Sequence, residues 1–169
     1  MNNGRQNHCG GHLTCYNMDG REFIRELVEK NVAFTDVIIN LPQTAVDFLD
    51  VFIGIGNFRR VIHKDTNSKD DKESPLTLTH PLPAYPSTST NGEVRDITIH
   101  VYTFSSAGST TALIEADVIH RVALVLHCSS DIIRQNALLC HVVRDVSPKK
   151  HMACLSFRLP VEVIFGASP

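Results

Sequence analysis

The sequence has no feature that would place it in a membrane or on a secretory route. No apolar run approaches the roughly 18 residues that a membrane-spanning helix needs, and the opening MNNGRQNHCGGHL has no apolar core of a secretory signal. It also lacks the Arg-rich amphipathic pattern of a mitochondrial transit peptide. We therefore expect no membrane association, and any targeting segment would have to precede Met1 in a longer protein.

A surplus of positive charge is missing as well. Lysine and arginine number 16 against 18 aspartates and glutamates, which gives a formal net charge of -2. A protein that binds nucleic acid on its own usually carries a basic face. The overall charge therefore argues against RNA binding unless basic residues cluster locally.

The cysteines lack the CxxC spacing of common zinc sites. They are Cys9, Cys15, Cys128, Cys140 and Cys154. His8, Cys9, His12 and Cys15 together contain the residue types of a zinc site, but their spacing does not fit one. Because the number of cysteines is odd and no secretory signal is visible, we expect reduced intracellular thiols and no metal.

What the sequence does contain is typical of one globular domain: 169 residues, of which 43% are hydrophobic and 20% charged. One segment differs from the rest, KDTNSKDDKESPLTLTHPLPAYPSTSTNGEVR at 64–95. It is rich in Lys, Asp, Ser, Thr and Pro and cannot bury enough apolar area to offset its ordering entropy. We predict a flexible insertion within a single domain, since neither flank completes a core alone.

Elsewhere, strand and helix patterns alternate. We predict strands at 12–17, 36–40, 96–104, 138–146 and 152–160, and helices at 21–31, across Ala45–Ile53 and at 111–127. This order predicts an α/β fold with a mostly parallel sheet, and the short turn SPKKH predicts an antiparallel hairpin at its C-terminal end. A Rossmann-like sheet with such a hairpin is the second half of the class I methyltransferase fold.

The corner Asn40-Leu41-Pro42 follows a buried strand pattern directly. Ligands of open α/β sheets bind beyond the carboxyl ends of strands, where an asparagine amide can meet a base edge and Pro42 can rigidify the first helical turn. The alternative interpretation is structural, with Asn40 as a helix N-cap. The pattern alone leaves both open.

Asp19-Gly20 and the glycines of VFIGIGNF each invite a cofactor interpretation. Asp19 can cap the helix at 21–31, or its carboxylate can accept from the amine of an adenine while Gly20 lets the ring approach. Gly54 and Gly56 follow a helix rather than a strand, so we interpret them as helix termination and not as a phosphate-binding loop.

Three stretches carry a resemblance that covers most of the chain outside the insertion. YNMDGREFI at 16–24, VIINLPQTAVDFLDVF at 37–52 and CHVVRDVSPKKHMACLSFRLP at 140–160 resemble the C-terminal part of the catalytic domain in the eukaryotic and archaeal tRNA (guanine(37)-N(1))-methyltransferase family. The resemblance implies methyl transfer from S-adenosylmethionine to N1 of guanine 37, beside the tRNA anticodon. The chain would begin at the third strand of that domain.

The resemblance also implies site residues. Asp19 and Gly20, with Met18 as an apolar neighbour, would contact the adenine of S-adenosylmethionine, and Asn40 would lie between cofactor and guanine. Pro42 and Arg144 would complete the substrate site. The general base, the glycine-rich cofactor loop and the tRNA-docking domain would lie upstream, so we expect no catalytic residue here and no activity from the chain alone.

Some alternatives remain open at this point. Arg144, Lys149, Lys150 and Arg158 form the densest basic group, which could contact RNA phosphates or be a solvated hairpin; Arg144 could also order the edge of its strand. A sibling enzyme that transfers an aminocarboxypropyl group in wybutosine synthesis, and a non-catalytic α/β interaction fragment, are the alternative functions. The family implies a monomer that works in the mitochondrial matrix, cytoplasm and nucleus.

Overall fold

The computed structural model describes residues 13–30, 32–56 and 96–166. Helices are α1 (Gly20–Glu29), α2 (Thr111–Val125), α3 (Ser130–Asn136) and α4 (Val161–Phe165), and strands are β1 (Asp36–Ile39), β2 (Thr98–Ser105), β3 (Ala137–Ser147) and β4 (Lys150–Arg158). A 3₁₀ helix, Asp47–Phe52, follows β1. The predicted insertion at 64–95 lies outside the described residues, as do His8, Cys9 and His12.

The four strands form one mixed sheet in the order β1-β2-β4-β3. β1 pairs with β2 in parallel, and β4 pairs antiparallel with both β2 and β3. The α/β class and the C-terminal hairpin are thus confirmed. The expected mostly parallel pairing is wrong for the described strands. β4 lies between β2 and β3 and runs antiparallel to both, so only one of the three strand pairs is parallel.

The core lies between the centre of this sheet and α2. β2 alternates half-buried and buried residues, and its buried Ile99 and Val101 pair with Phe157 and Leu155 of β4. Val118 packs in the same cluster from α2, and all five side chains are 0% exposed. Burial of large apolar side chains contributes about 1.5–3 kcal/mol each, so this layer dominates the stability of the fold.

α2 has a defined end at each terminus. The hydroxyl of Thr110 accepts a hydrogen bond from the amide of Leu113 (3.4 Å) at its N-terminus. At its C-terminus, His127 adopts φ 54°, and the amide of Cys128 donates to the carbonyl of Ala123 at 3.0 Å. This is the Schellman motif, with a histidine where glycine is usual.

Three details of the predicted elements change. Residues 13–17 form no strand, because they have no partner strand in the described chain. After Pro42 the chain makes turns and a 3₁₀ helix instead of an α-helix; the carbonyl of Asp47, which an α-helix would offer to Val51, accepts from Arg21 at 2.7 Å. The short helices α3 and α4 were not predicted.

Candidate functional site

The corner after β1 is fastened to the end of β2. Asn40 follows Ile39 directly and is exposed, while Pro42 is half-buried. The carbonyl of Pro42 accepts from the amide of Phe104 at 3.1 Å. The backbone of the corner is therefore held by the sheet, and the side chain of Asn40 remains accessible.

Arg121 of α2 binds the same end of β2 through its guanidinium group. Its Nη2 donates to the carbonyl of Phe104 at 2.6 Å and its Nη1 to Oγ1 of Thr103 at 3.2 Å. Asp117, one helical turn earlier, lies 3.2 Å from Nη2. Since the amide of Phe104 donates to Pro42 and its carbonyl accepts from Arg121, a continuous series of hydrogen bonds runs from α2 to the corner.

Asp19 is the N-cap of α1, as its sequence position predicted. Its Oδ1 accepts from the amides of Arg21 (2.8 Å) and Glu22 (3.3 Å). Both bonds go to the same oxygen, and Oδ2 accepts no hydrogen bond within the described residues. The cap and a ligand contact are therefore compatible, because each can use its own carboxylate oxygen.

Arg21 ties α1 to the 3₁₀ helix. Its Nε lies 2.8 Å from Oδ1 of Asp50, and its guanidinium lies 4.2 Å from the ring centroid of Phe48. The hydrogen bond to Asp50 raises the pKa of Arg21 above its usual value. Phe48 in turn stands close to Gly20, where an added Cβ would be 3.3 Å from the ring. Nothing in the sequence indicated this clamp, because it joins residues about thirty positions apart.

A cavity of about 660 Å³ lies between α1, β1 and the 3₁₀ helix. Asp19, Gly20 and Asn40, predicted separately, lie on its wall together. The apolar part of the wall includes Met18, Phe23, Ile24, Leu27, Phe34, Val37, Ile39, Leu41, Phe48, Val51 and Phe52. Such a volume, mostly apolar with a few polar groups, is typical of small-molecule sites, which range over about 300–1,000 Å³.

The cavity has two parts with different origins. One end, at the carboxyl end of β1, is formed by the residues around Asp19 and Asn40. The other follows β1 back to Asp36 along its outer edge, where Ile38 is 70% exposed. In the described chain β1 pairs only with β2, so this second part is a groove beside an open strand edge. Asp19 and Asn40 are the polar residues of the carboxyl end, whereas the polar residue of the second part is Asp36, whose Oδ2 already accepts from Oγ1 of Thr35 at 2.7 Å.

Pro42 and Arg144 do not line this cavity. Pro42 instead links the corner to β2, because its carbonyl accepts from the amide of Phe104. Arg144 is exposed on β3 and is paired in register with Met152. The structure thus brings together the predicted cofactor residues and leaves Arg144 on the neighbouring hairpin.

The two glycines of VFIGIGNF have different roles. Gly54 has φ 73° directly after the 3₁₀ helix, which confirms it as a terminating residue. Gly56 instead permits close packing, since an added Cβ would lie 2.7 Å from the ring of Phe165. Neither lines the cavity around Asp19.

Thiols and metal ligands add little to this site. No group of three His, Cys, Asp or Glu side chains in residues 13–30, 32–56 and 96–166 is placed to hold a metal ion. Desolvation, with a smaller effect of Glu115, raises the pKa of Cys140 to about 11. Within the same ranges, no helix is long and apolar enough to cross a bilayer.

Comparison with known proteins supports the resemblance seen in the sequence. No protein-family model matches the chain, and no solved structure does. A protein named tRNA (guanine(37)-N(1))-methyltransferase from Phytophthora infestans is 31% identical over 92% of the chain. One of the same name from Dictyostelium discoideum is 32% identical over 94%, and one named tRNA (guanine(37)-N(1))-methyltransferase 2 from Arabidopsis thaliana is 32% identical over 91%.

The matched region is a minor part of these relatives. The chain spans 28% of the length of the Phytophthora protein, 27% of the Dictyostelium protein and 19% of the Arabidopsis protein. The similarity nevertheless runs through nearly all of the chain. The family predicted from three short stretches is confirmed.

Proposed function

We propose that this chain, a member of the tRNA (guanine(37)-N(1))-methyltransferase family, forms the part of a catalytic domain that holds the adenosyl group of S-adenosylmethionine and the guanine to be methylated at N1. The observation that supports this is the convergence of Asp19, Gly20 and Asn40 on one cavity at the carboxyl end of β1. Relatives' names point to guanine 37 of tRNA as the substrate.

The residues around this cavity fit an adenosyl group. The free Oδ2 of Asp19 can accept from an exocyclic amine, and the apolar side chains of Met18, Leu41 and Phe48 offer surfaces for a purine ring. Gly20 leaves room beside Phe48 that a side chain would occupy. S-adenosylmethionine, when bound, supplies an electrophilic methyl group.

Asn40 is the residue we propose to orient the guanine. Its side-chain amide has both donors and an acceptor, and the Watson–Crick edge of guanine also carries both. Because the amide of Phe104 holds the carbonyl of Pro42, the side chain of Asn40 has a fixed point of attachment. Methyl transfer is an in-line displacement, so a base held with N1 facing the methyl group gains rate from orientation.

The proton of guanine N1 needs an acceptor that we do not assign within this chain. Asp19 already receives two backbone amides, and we propose it for the cofactor. The family resemblance implies a base outside these residues. We therefore expect the 169-residue chain to bind cofactor without methylating tRNA.

A pair of substitutions at Asp19 separates its two roles. Serine is a good N-cap but has no carboxylate, whereas alanine is neither. We expect Asp19→Ser to keep the stability of α1 and Asp19→Ala to lower the free energy of unfolding by about 1 kcal/mol. Both should weaken binding of S-adenosylhomocysteine by about tenfold, the value of one charge-assisted hydrogen bond. Titration calorimetry and urea unfolding measure the two effects.

Asp131→Ser is the matched control, because Asp131 lies in the first turn of α3, away from the cavity. It should leave cofactor affinity unchanged. Wild-type affinity in Asp19→Ser would contradict the cofactor role of Asp19. No affinity in the unsubstituted chain would instead favour a non-catalytic interaction fragment.

A further inference from the structure

The tip of the β3–β4 hairpin, residues 144–150, lies at the same edge of the sheet as the Asn40–Pro42 corner. Ser105, the last residue of β2, pairs with His151, and Ser147 pairs with Lys150 across the hairpin. β1 and β2 are parallel, so both end at this edge. The tip therefore adjoins the carboxyl end where the candidate site opens.

Lys150 is held next to the corner by an aromatic ring. Its Nζ lies 4.3 Å from the ring centroid of Phe104, within the range of a cation–π interaction. The amide of that same Phe104 donates to the carbonyl of Pro42 at 3.1 Å. One residue thus positions the cation with its ring and the corner with its backbone.

The tip is strongly basic although the whole chain is slightly acidic. Arg144 and Lys149 are exposed and form no ion pair within the described residues. The one acidic residue of the tip is Asp145, whose Oδ1 lies 2.6 Å from Nδ1 of His151. Two exposed cations and the half-buried Lys150 therefore lie beside a carboxylate that already has a partner.

We propose that this hairpin tip binds RNA phosphates that flank the nucleotide whose base lies beside Asn40. The inference rests on the proposed function for the identity of the RNA, but its evidence is the charge and the placement of the tip. Phosphate contacts of lysine and arginine set the register of a nucleic acid without reading its sequence. The tip would thus orient the RNA chain while Asn40 meets the base.

The test measures binding of a synthetic RNA hairpin with the shape of an anticodon stem-loop and guanine at position 37. Lys149→Gln/Lys150→Gln removes two of the cations. We expect its affinity for this RNA to fall about tenfold, and the slope of log affinity against log salt concentration to decrease by about 2, or about 1 for each lost phosphate contact. Thermal unfolding of each variant checks that the fold is retained.

Arg158→Gln is the matched control, because it removes an exposed cation from the opposite edge of the same sheet. Arg158 pairs with Thr98, seven residues from Ser105 on β2, which corresponds to about 23 Å at about 3.3 Å per residue. The RNA affinity of Arg158→Gln and its slope of log affinity against log salt concentration should equal those of the unsubstituted chain. A loss of log affinity in Arg158→Gln about half that of the double variant, in proportion to the charges removed, would overturn the proposal, since it would show only an effect of net charge.

Two further measurements identify the ligand. Inorganic phosphate at the same ionic strength should not displace the RNA; displacement would mean a site for free phosphate and would overturn RNA binding by the tip. Unchanged RNA affinity in the double variant, or no RNA binding by the unsubstituted chain, would also overturn it. Titration with S-adenosylhomocysteine tests the proposed function separately, because Lys149 and Lys150 do not line the cofactor cavity.

Discussion

The two regions on either side of the Asn40–Pro42 corner are packed very differently. In β2, β4 and α2, side chains such as Ile99, Val118 and Leu155 are 0% exposed. In β1, none of the four residues is fully buried, and Ile38 is 70% exposed. Close packing leaves no room for a ligand, so the first region can act only as a support. The second, loosely packed region is where the cavity forms.

The parallel pairing of β1 with β2 joins the two regions, and beyond the end of β1 a single backbone bond continues this connection at the site. The bond from Phe104 to Pro42 crosses between them, and Arg121 holds Phe104 from the packed side. On the other side of the cavity, Arg21 fixes α1 to the 3₁₀ helix through Asp50 and Phe48. The difference suggests that stability and ligand binding can be changed separately.

The two regions should differ most in the loss of stability when a phenylalanine is replaced by alanine. Phe157 of β4 is 0% exposed, and Phe157→Ala should lower the free energy of unfolding by about 3–5 kcal/mol. Phe48 is half-buried at the cavity wall, and Phe48→Ala should cost only about 1 kcal/mol. Urea unfolding measures both. A cost for Phe48→Ala as large as that for Phe157→Ala would show that the cavity region is not loosely packed.

For ligand binding we expect the opposite order, with a larger effect of Phe48→Ala than of Phe157→Ala. Phe48→Ala should weaken binding of S-adenosylhomocysteine several-fold, because it removes an apolar surface of the cavity. Phe157 does not line the cavity. Its alanine variant, measured at a temperature where it stays folded, should keep the affinity of the unsubstituted chain.

Arg121 tests whether the packed region positions the corner. Arg121→Gln removes the bonds to Phe104 and Thr103, and should cost about 1–3 kcal/mol because the half-buried carbonyl of Phe104 loses a charged donor. It should also speed amide hydrogen exchange at Phe104, whose bond to Pro42 loses its support. The control is Arg134→Gln, which breaks an exposed pair with Asp131 on α3. Such exposed pairs contribute about 0–1 kcal/mol. Equal exchange at Phe104 in the two variants would rule out the positioning role of Arg121.

The smallest expected effect is the contribution of Cys140 to the pH dependence of stability. Burial raises the pKa of Cys140 from the usual 9.0 to about 11, so the folded state keeps a proton that the unfolded chain releases. The stabilisation is fully present below pH 9 and is lost as the pH rises through about 11. Cys140→Ala should reduce this alkaline loss in thermal unfolding scans.

Thiol labelling gives an independent check on the desolvation of Cys140, which lies on β3. A shift of about two pKa units lowers the thiolate fraction about 100-fold near neutral pH. Maleimide at pH 8 should therefore modify exposed Cys15 well before Cys140. Faster labelling of Cys140 than of Cys15 would contradict the desolvation of the Cys140 thiol.

The sequence predicted individual helices and strands better than the arrangement of the strands in the sheet. The cap at Asp19, the strand of β2, the helix α2 and the C-terminal hairpin all follow from periodicity and capping residues that act over a few positions. The place of β4 between β2 and β3 does not, since a hairpin can join a sheet by either strand. Whether a segment such as 13–17 becomes a strand depends on a partner that its own residues do not encode.

The candidate site shows the same limit. Asp19 and Asn40 could be proposed one by one, because each follows or precedes a recognisable element. Their presence on one cavity depends on the parallel pairing of β1 with β2 and on the clamp of Arg21. Contacts such as Arg121 with Phe104 involve side chains 17 positions apart, and no local pattern indicates them.

β1 and β3, the two outermost strands of the sheet, differ in how they meet solvent. β3 is interrupted by three register irregularities, which discourage another chain from continuing the sheet. β1 is short and regular, and its outward backbone groups form no strand pairing within the described residues. We expect the isolated chain to self-associate through β1 as its concentration rises, and Ile38→Lys, which places a charge on that strand, to keep it monomeric.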